Sequence, residues 1–268
     1  MTISAPPAAS PRLPPPPGPA PHVPALTWIN VFSRLLAIQG SWNYENLIGN
    51  GVGFCLEPVL RQLPGGTHSP AFKAAISRES AYFNAHPYLA AVAVGALARA
   101  ELSGVPAERI ERFRTALCGP LGSVGDRLVW AGWLPFCSLL ALVAFGLGAR
   151  PLAVLLIFLL LYNAGHLALR AWGLHVGWTR GLGVASALAN PVLRQGPAHL
   201  ARAAAAIAGV ALPLTVAHVV PGRGSVLAVV LIAAALTAAV LVRLHGRVEG
   251  YKLALVLIAL FALVSVAR

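Results

Sequence analysis

Five apolar segments, each long enough to cross a lipid bilayer, follow one another after residue 127. They cover residues 128–149, 151–169, 203–220, 225–242 and 252–267. A helix needs about 20 apolar residues to span a hydrocarbon core of about 30 Å, and helices satisfy their own backbone hydrogen bonds in lipid. Only 10% of the residues are charged, against about 25% in soluble domains. The sequence therefore predicts an all-α integral membrane protein, a polytopic helical bundle with about five membrane-length segments.

The part of the chain before these segments has a different character. Residues 1–24 are saturated with proline and have no apolar core of a signal peptide, which predicts a disordered Pro-rich arm. Residues 25–40 alternate apolar and polar positions at helical spacing, as in an interfacial helix. The apolar core of 89–98 is too short to span a bilayer and predicts a re-entrant or surface-buried helix. We therefore expect one membrane domain over 25–268, with amphipathic and re-entrant helices in 25–127 and transmembrane helices in 128–268.

The basic residues of the loops predict the orientation of the chain. Arginine is frequent in 99–127 and 170–202, whereas Arg150 and Arg223 are alone in the intervening loops. Cytoplasmic loops are enriched in Lys and Arg. We therefore expect a protein of the bacterial inner (plasma) membrane with its N-terminus in the cytoplasm and its C-terminus on the periplasmic or extracellular side. The net charge is +12, and the basic residues occur singly between apolar runs. This distribution indicates contact with anionic lipid and no nucleic-acid surface.

A stretch of aromatic and polar residues, "QGSWNYEN" at 39–46, follows the first amphipathic helix. Aromatic rings stack on the C–H face of sugars, while amides and carboxylates bind hydroxyl groups. Tryptophan and tyrosine also gather at membrane interfaces without any ligand. The residues alone leave both interpretations open.

Two further stretches carry polar residues beside apolar helices. In "YFNAHPY" (82–88), Asn84 is interpreted as a residue near a helix N-cap and His86 as a hydrogen-bonding group. In "GPLGSVGD" (119–126), the glycines predict a tight, non-helical turn that ends at Asp126, the only aspartate of the chain. Two interpretations of Asp126 remain. It caps a helix and has Arg127 as its charge partner, or its carboxylate belongs to a substrate site beside irregular backbone.

No set of residues with catalytic or metal-binding spacing occurs in the sequence. The three cysteines form no CxxC pair, and no two carboxylates are spaced for acid–base chemistry. We therefore expect no enzyme activity of this chain by itself, no cofactor and no metal.

Taken in order, the three motifs resemble the IID component of the mannose/fructose/sorbose family of the bacterial sugar phosphotransferase system. The stretch "LALRAWGLHVGW" (167–178) is also similar to that family. The resemblance covers residues 28–185. It implies a subunit of a permease that pairs with a IIC membrane subunit, usually as a trimer of such pairs. Cytosolic IIA and IIB proteins would phosphorylate the hexose as it arrives.

By position, the resemblance implies six substrate-binding residues. They are Trp42, Asn43, Glu45, Asn84, His86 and Asp126. The sequence departs from the family pattern at Arg127, which follows the Gly-Asp pair. A membrane scaffold or sensor of the same ancestry, without transport activity, is the alternative hypothesis.

Overall fold

The computed structural model describes residues 21–219, and this part of the chain is helical. Its α-helices are α1 Ala25–Leu35, α2 Gly49–Leu60, α3 Pro70–Glu79, α4 Ala90–Leu102, α5 Ala107–Gly125, α6 Leu134–Gly146, α7 Pro151–Arg180, α8 Ala185–Leu188 and α9 Pro191–Val219. A π-helix, Asp126–Trp133, joins α5 to α6, and 3₁₀ turns lie at Gly66–His68 and Gly181–Gly183. The predicted all-α class is confirmed.

Three helical segments of the described chain are long and apolar enough to cross a membrane. They are Ala107–Gly146, Pro151–Gly183 and Ala185–Val219. They contain all of the predicted span 151–169 and most of the predicted spans 128–149 and 203–220. The leucines of α7 face outward, for example Leu152 and Leu160, which are 66% and 68% exposed. An apolar exterior of this kind suits contact with lipid. The predicted spans 225–242 and 252–267, like the Pro-rich arm over residues 1–20, fall outside the described residues.

The chain divides into two compact units, and the first contains all three motifs. Within the described residues it consists of 21–134 and 162–200. Its centre is α4, in which every residue from Ala90 to Glu101 is buried. The predicted short helix is therefore present, and it lies inside the protein.

Small residues allow α4 and α7 to approach closely inside this unit. A Cβ atom on Gly95 would lie 2.3 Å from the carbonyl oxygen of Leu174, and one on Gly177 would lie 2.2 Å from that of Val92. Contacts this close leave no room for a side chain on either helix, as at other small-residue helix crossings in membranes. This crossing fixes the part of α7 that carries His166 and Arg170.

The second unit contains residues 135–161 and 201–268, of which 220–268 lie outside the described range. Here Phe145 and His218 pack with ring centroids 4.9 Å apart. The hydroxyl of Thr215 donates to the carbonyl of Leu142 at 3.5 Å. None of the six predicted site residues belongs to this unit.

The Gly-rich stretch 119–125 is not a turn, and that prediction is wrong. The helix α5 runs through Pro120 to Gly125 and continues into the π-helix without a break. In a membrane helix each backbone group must be satisfied within the segment, and this requirement outweighs the turn preference of glycine and proline. The irregular backbone lies directly after this stretch, in Asp126–Trp133, which forms the wider turns of a π-helix.

Candidate functional site

Backbone pairing brings the first two motifs together. The amide of Phe83 donates to the carbonyl of Asn46 at 3.2 Å, and the amide of Ile48 donates to the carbonyl of Phe83 at 3.2 Å. Phe83 itself is fully buried. These two hydrogen bonds join residues that are 37 and 35 positions apart in the chain. The loops 39–48 and 80–89 therefore form one surface.

The aromatic pair of the first motif lies on the outside of this surface. The rings of Trp42 and Tyr44 meet edge to face at 4.8 Å, and they are 46% and 87% exposed. Glu45 is also exposed. Trp42 and Glu45 are thus accessible, as the sugar hypothesis requires.

Asn43 has a local structural role in the same loop. Its side-chain oxygen accepts hydrogen bonds from the amides of Glu45 and Asn46 at 3.0 and 2.9 Å, and its side-chain nitrogen donates to Ser41 at 3.2 Å. Such an Asx turn replaces backbone hydrogen bonds. Asn43 therefore shapes the loop that presents Trp42 and Glu45.

The second motif places its two polar residues in different surroundings. Asn84 is exposed and lies outside the helices, and α4 begins six residues later with Leu89 as its N-cap, so its interpretation as a residue near the N-cap is wrong. His86 is buried, with 2% of its surface exposed. The amide of Tyr88 donates to His86 Nδ1 at 3.2 Å.

His86 connects the second motif to the third. A Cβ atom on Gly125 would lie 2.2 Å from the Cβ of His86, and the ring of Trp130 in the π-helix lies 5.0 Å from the His86 ring. Burial, and then the Arg170 guanidinium, lower the pKa of His86 from 6.5 to about 4. The ring is therefore neutral near pH 7, with its proton on Nε2, since Nδ1 accepts a hydrogen bond.

Asp126 lies inside a continuous helix, at the junction of α5 and the π-helix. Its backbone is helical (φ −61°, ψ −43°) and its amide donates within the helix, so it is not an N-cap, and that interpretation is wrong. Its proposed charge partner, Arg127, instead donates to the carbonyl of Ser123 at 3.1 Å. The side chain of Asp126 is exposed, and the residue directly before it, Gly125, is the one that contacts His86.

A cluster of polar and aromatic side chains around Tyr88 was not predicted as a unit. It consists of His86, Tyr88, Tyr162, His166 and Arg170, and we call it the Tyr88 cluster. The guanidinium of Arg170 lies 4.3 Å from the Tyr88 ring centroid, and the Tyr88 and Tyr162 hydroxyls are hydrogen-bonded at 2.7 Å. The only signal in the sequence is that Asn163 and His166 interrupt the apolar span 151–169 and that Arg170 directly follows it.

Arg114 of α5 was also missed, and it holds the second loop in place. It is 3% exposed, pairs with the buried carboxylate of Glu79, and donates to the carbonyls of Glu79 and Ala81 at 3.1 and 2.9 Å. Its guanidinium lies 5.2 Å from the Phe83 ring centroid. These contacts fix residues 79–83, directly before Asn84.

Known proteins with similar sequences are sugar permease subunits. A sequence profile described as "PTS system mannose/fructose/sorbose family IID component" matches residues 23–212. The mannose-specific EIID component of Escherichia coli K12 is 32% identical over 171 residues, 62% of this chain and 59% of that protein. The fructose permease IID component of Bacillus subtilis is 29% identical over 168 residues, 60% of this chain and 59% of that protein. The match thus spans about 59% of the length of these relatives.

Two solved structures share the fold. One is a cryo-EM structure of the mannose transporter ManYZ in complex with microcin E492. It has a TM-score of 0.55 and 22% identity, over 92% of this chain and 96% of that one. Another membrane protein structure has a TM-score of 0.63 and 21% identity, over 91% and 96%. The family match over most of the chain, together with the three ordered motifs, shows that this protein belongs to the mannose/fructose/sorbose IID family of the phosphotransferase system.

Proposed function

We propose that this chain is the IID membrane subunit of a phosphoenolpyruvate-dependent sugar permease. It acts with a IIC subunit to bind and translocate a hexose of the mannose, fructose and sorbose class. Cytosolic IIA and IIB proteins phosphorylate the sugar on arrival, so the chain carries no catalytic group of its own. The complex lies in the inner membrane as a trimer of IIC–IID pairs in contact with lipid, with the N-terminus of this chain in the cytoplasm.

The convergence of the three motifs in the first unit carries this proposal. The loops 39–48 and 80–89 are paired through Phe83, and His86 packs on Gly125 beside Asp126. Their exposed groups include an indole, two carboxylates and an amide, which together suit a ligand with hydroxyl groups and an apolar face. Asn43 supports this surface through the Asx turn.

Uptake measurements with the IIC, IIA and IIB proteins of the same bacterium test the proposal. Cells that contain all four proteins should accumulate radiolabelled mannose, fructose or sorbose as its phosphate. Trp42→Ala should reduce uptake severalfold, because contact with an aromatic face contributes about 0.5–1.5 kcal/mol. An absence of uptake with all three sugars in correctly assembled complexes would favour the scaffold or sensor hypothesis.

Asp126→Asn should separate a sugar contact from a structural role. Asparagine and aspartate have similar helix propensities, and Asp126 is exposed, so assembly and thermal stability should not change. If the carboxylate binds sugar, uptake should fall about ten- to a hundredfold, the value of a charged hydrogen bond. Arg127→Gln is the matched control at the next position. Parental uptake by Asp126→Asn would remove this residue from the site.

A further inference from the structure

Side chains from α3, α4 and α5 form a cluster of two carboxyl groups and two arginines, which we call the Glu79 cluster. Arg78 donates to Oε1 and Oε2 of Glu101 at 2.7 and 2.8 Å, and Arg114 pairs with Oε2 of Glu79. Arg78 is the most exposed of the four side chains, at 14%. The cluster therefore lies inside the protein and has one edge at the surface.

One oxygen atom of this cluster lacks a hydrogen-bond donor. The Glu79 side chain is fully buried, and its Oε2 accepts from Arg114. In the described part of the chain, its Oε1 has no hydrogen-bond partner. A buried acceptor without a donor is destabilising, and most strongly so when it carries charge. A hydrogen that does not come from the surrounding donors must therefore satisfy Oε1.

The polar group next to Glu79 on the α4 side is the carboxyl group of Glu101, within hydrogen-bonding reach. Two ionised carboxylates cannot bond to each other, because their oxygens are acceptors only, whereas a carboxylic acid has one O–H donor. Oε2 of Glu101 accepts one hydrogen bond from Arg78, so it can accept another. A proton on Glu79 Oε1 supplies the missing donor, and Glu101 supplies its acceptor.

The surroundings of the two carboxyl groups assign the proton to Glu79. Arg78 contacts both oxygens of Glu101, an arrangement typical of an ionised carboxylate. Glu79 keeps its contact with Arg114 when protonated on Oε1, because Oε2 remains an acceptor. Burial raises the pKa of Glu79 from 4.5 to about 8, the Arg114 guanidinium opposes this rise, and Glu101 adds to it.

The other charged groups of the neighbouring helices are engaged elsewhere or lie at the surface. Glu57 of α2 pairs with two arginines outside the cluster, and Arg99 of α4 donates to carbonyl groups of α7. The remaining charged residues of α3 and α5 are exposed. Within the described residues, the charges that act on Glu79 are therefore those of Arg114 and Glu101.

We propose that Glu79 and Glu101 share one proton at neutral pH, carried by Glu79 Oε1 and accepted by a Glu101 oxygen. The proton comes from water, and its release to water leaves two ionised carboxylates side by side. Their repulsion then weakens the contact between α3 and α4. The cluster is thus a pH-sensitive contact that, together with Arg114, holds residues 79–83. This inference does not depend on the proposed function.

Infrared spectroscopy of the purified full-length protein tests the shared proton directly. A protonated carboxyl group has a C=O stretching band that carboxylates lack, and carboxyl groups with ordinary pKa values of about 4 are ionised at about pH 6.5. The spectrum of the parent minus that of Glu79→Gln should contain this band at about pH 6.5. The band should be lost around the Glu79 pKa of about 8.

Two further variants separate a shared proton from one that Glu79 holds alone. Glu101→Gln should shift the band and move its loss to lower pH, because the acceptor changes and the neighbouring negative charge is removed. Glu111→Gln removes an exposed carboxyl group of α5, so this matched control should leave the band and its titration unchanged.

The melting temperature gives an independent measurement. Because the folded pKa of Glu79 lies above 4.5, the folding equilibrium of the parent should fall up to about tenfold per pH unit from about pH 4.5 to about pH 8. The amide of Glu79→Gln imitates the protonated acid and does not titrate. This variant should therefore melt near the parent at about pH 5 and above it at about pH 9.

Three results would overturn the shared proton. The parent spectrum could lack the band at about pH 6.5, which would mean that both carboxylates are ionised, and this outcome does not require any variant to fold. The band could persist in Glu79→Gln, which would place the proton on another group. Glu101→Gln could leave the band and its titration unchanged, which would mean that Glu79 holds the proton alone.

Discussion

Gly125→Ala should destabilise the protein by about 1–3 kcal/mol, the usual cost of overpacking. The new Cβ would lie 2.2 Å from the Cβ and 2.5 Å from the Cγ of His86. The Cβ of His86 cannot rotate away, because it is fixed to the backbone, so the segment before Pro87 must move. The substitution should therefore reduce both the thermal stability of the purified complex and sugar uptake.

Gly122→Ala, one helical turn earlier, should have the opposite effect on stability. A Cβ there has no atom within 4 Å, so alanine gains helix propensity of up to about 1 kcal/mol relative to glycine. Gly119→Ala, which is equally open, serves as a second control. If the three variants had the same melting temperature, the contact with His86 would not explain the glycine at position 125.

Some helices are specified by residues next to them in the sequence. Ser69 caps α3 by accepting from the amide of Phe72 at 3.1 Å, and Pro70 occupies the first helical position. The alternation in 25–40 predicted α1, which buries Val31 and Leu35. The apolar runs located the spans, because bilayer thickness sets their length.

The contacts that build the candidate site could not be predicted, because their partners are distant in sequence. Arg170 donates to the carbonyl of Leu35 at 3.3 Å, across 135 positions, and Arg114 reaches back 35 positions to Glu79. Arg170 has no acidic residue at helical spacing, and the one that Arg114 has, Glu111 three positions earlier, gives no indication of a pair with Glu79. The family resemblance pointed to His86, although it gave no indication that Tyr88 packs against it and that His166 packs against Tyr88.

Arg114→Gln should cause the largest loss of stability among the charged positions, about 3–5 kcal/mol, since it leaves the buried Glu79 carboxylate without its partner. It also removes the donors to the carbonyls of Glu79 and Ala81. Arg114→Lys should have an intermediate effect, because lysine keeps the charge but not the planar fork. Arg112→Gln is the matched control, since Arg112 is exposed on the same helix and donates only to the Glu108 carbonyl. Thermal unfolding of the purified complex measures all three.

The pH dependence of this loss identifies Glu79 as its source. Burial raises the pKa of Glu79 from 4.5, and the Arg114 guanidinium opposes that rise. Without Arg114 the folded state holds the Glu79 proton to a higher pH than the unfolded chain does, so stability falls as pH rises above about 4.5 towards the folded pKa. The parent shares this fall up to its own folded Glu79 pKa of about 8, so the gap between Arg114→Gln and the parent should widen above about pH 8 and be wider at about pH 9 than at about pH 6. Adding Glu79→Gln should remove this pH dependence while the loss of the two carbonyl contacts remains. A gap that stays constant with pH would assign the instability to those contacts alone.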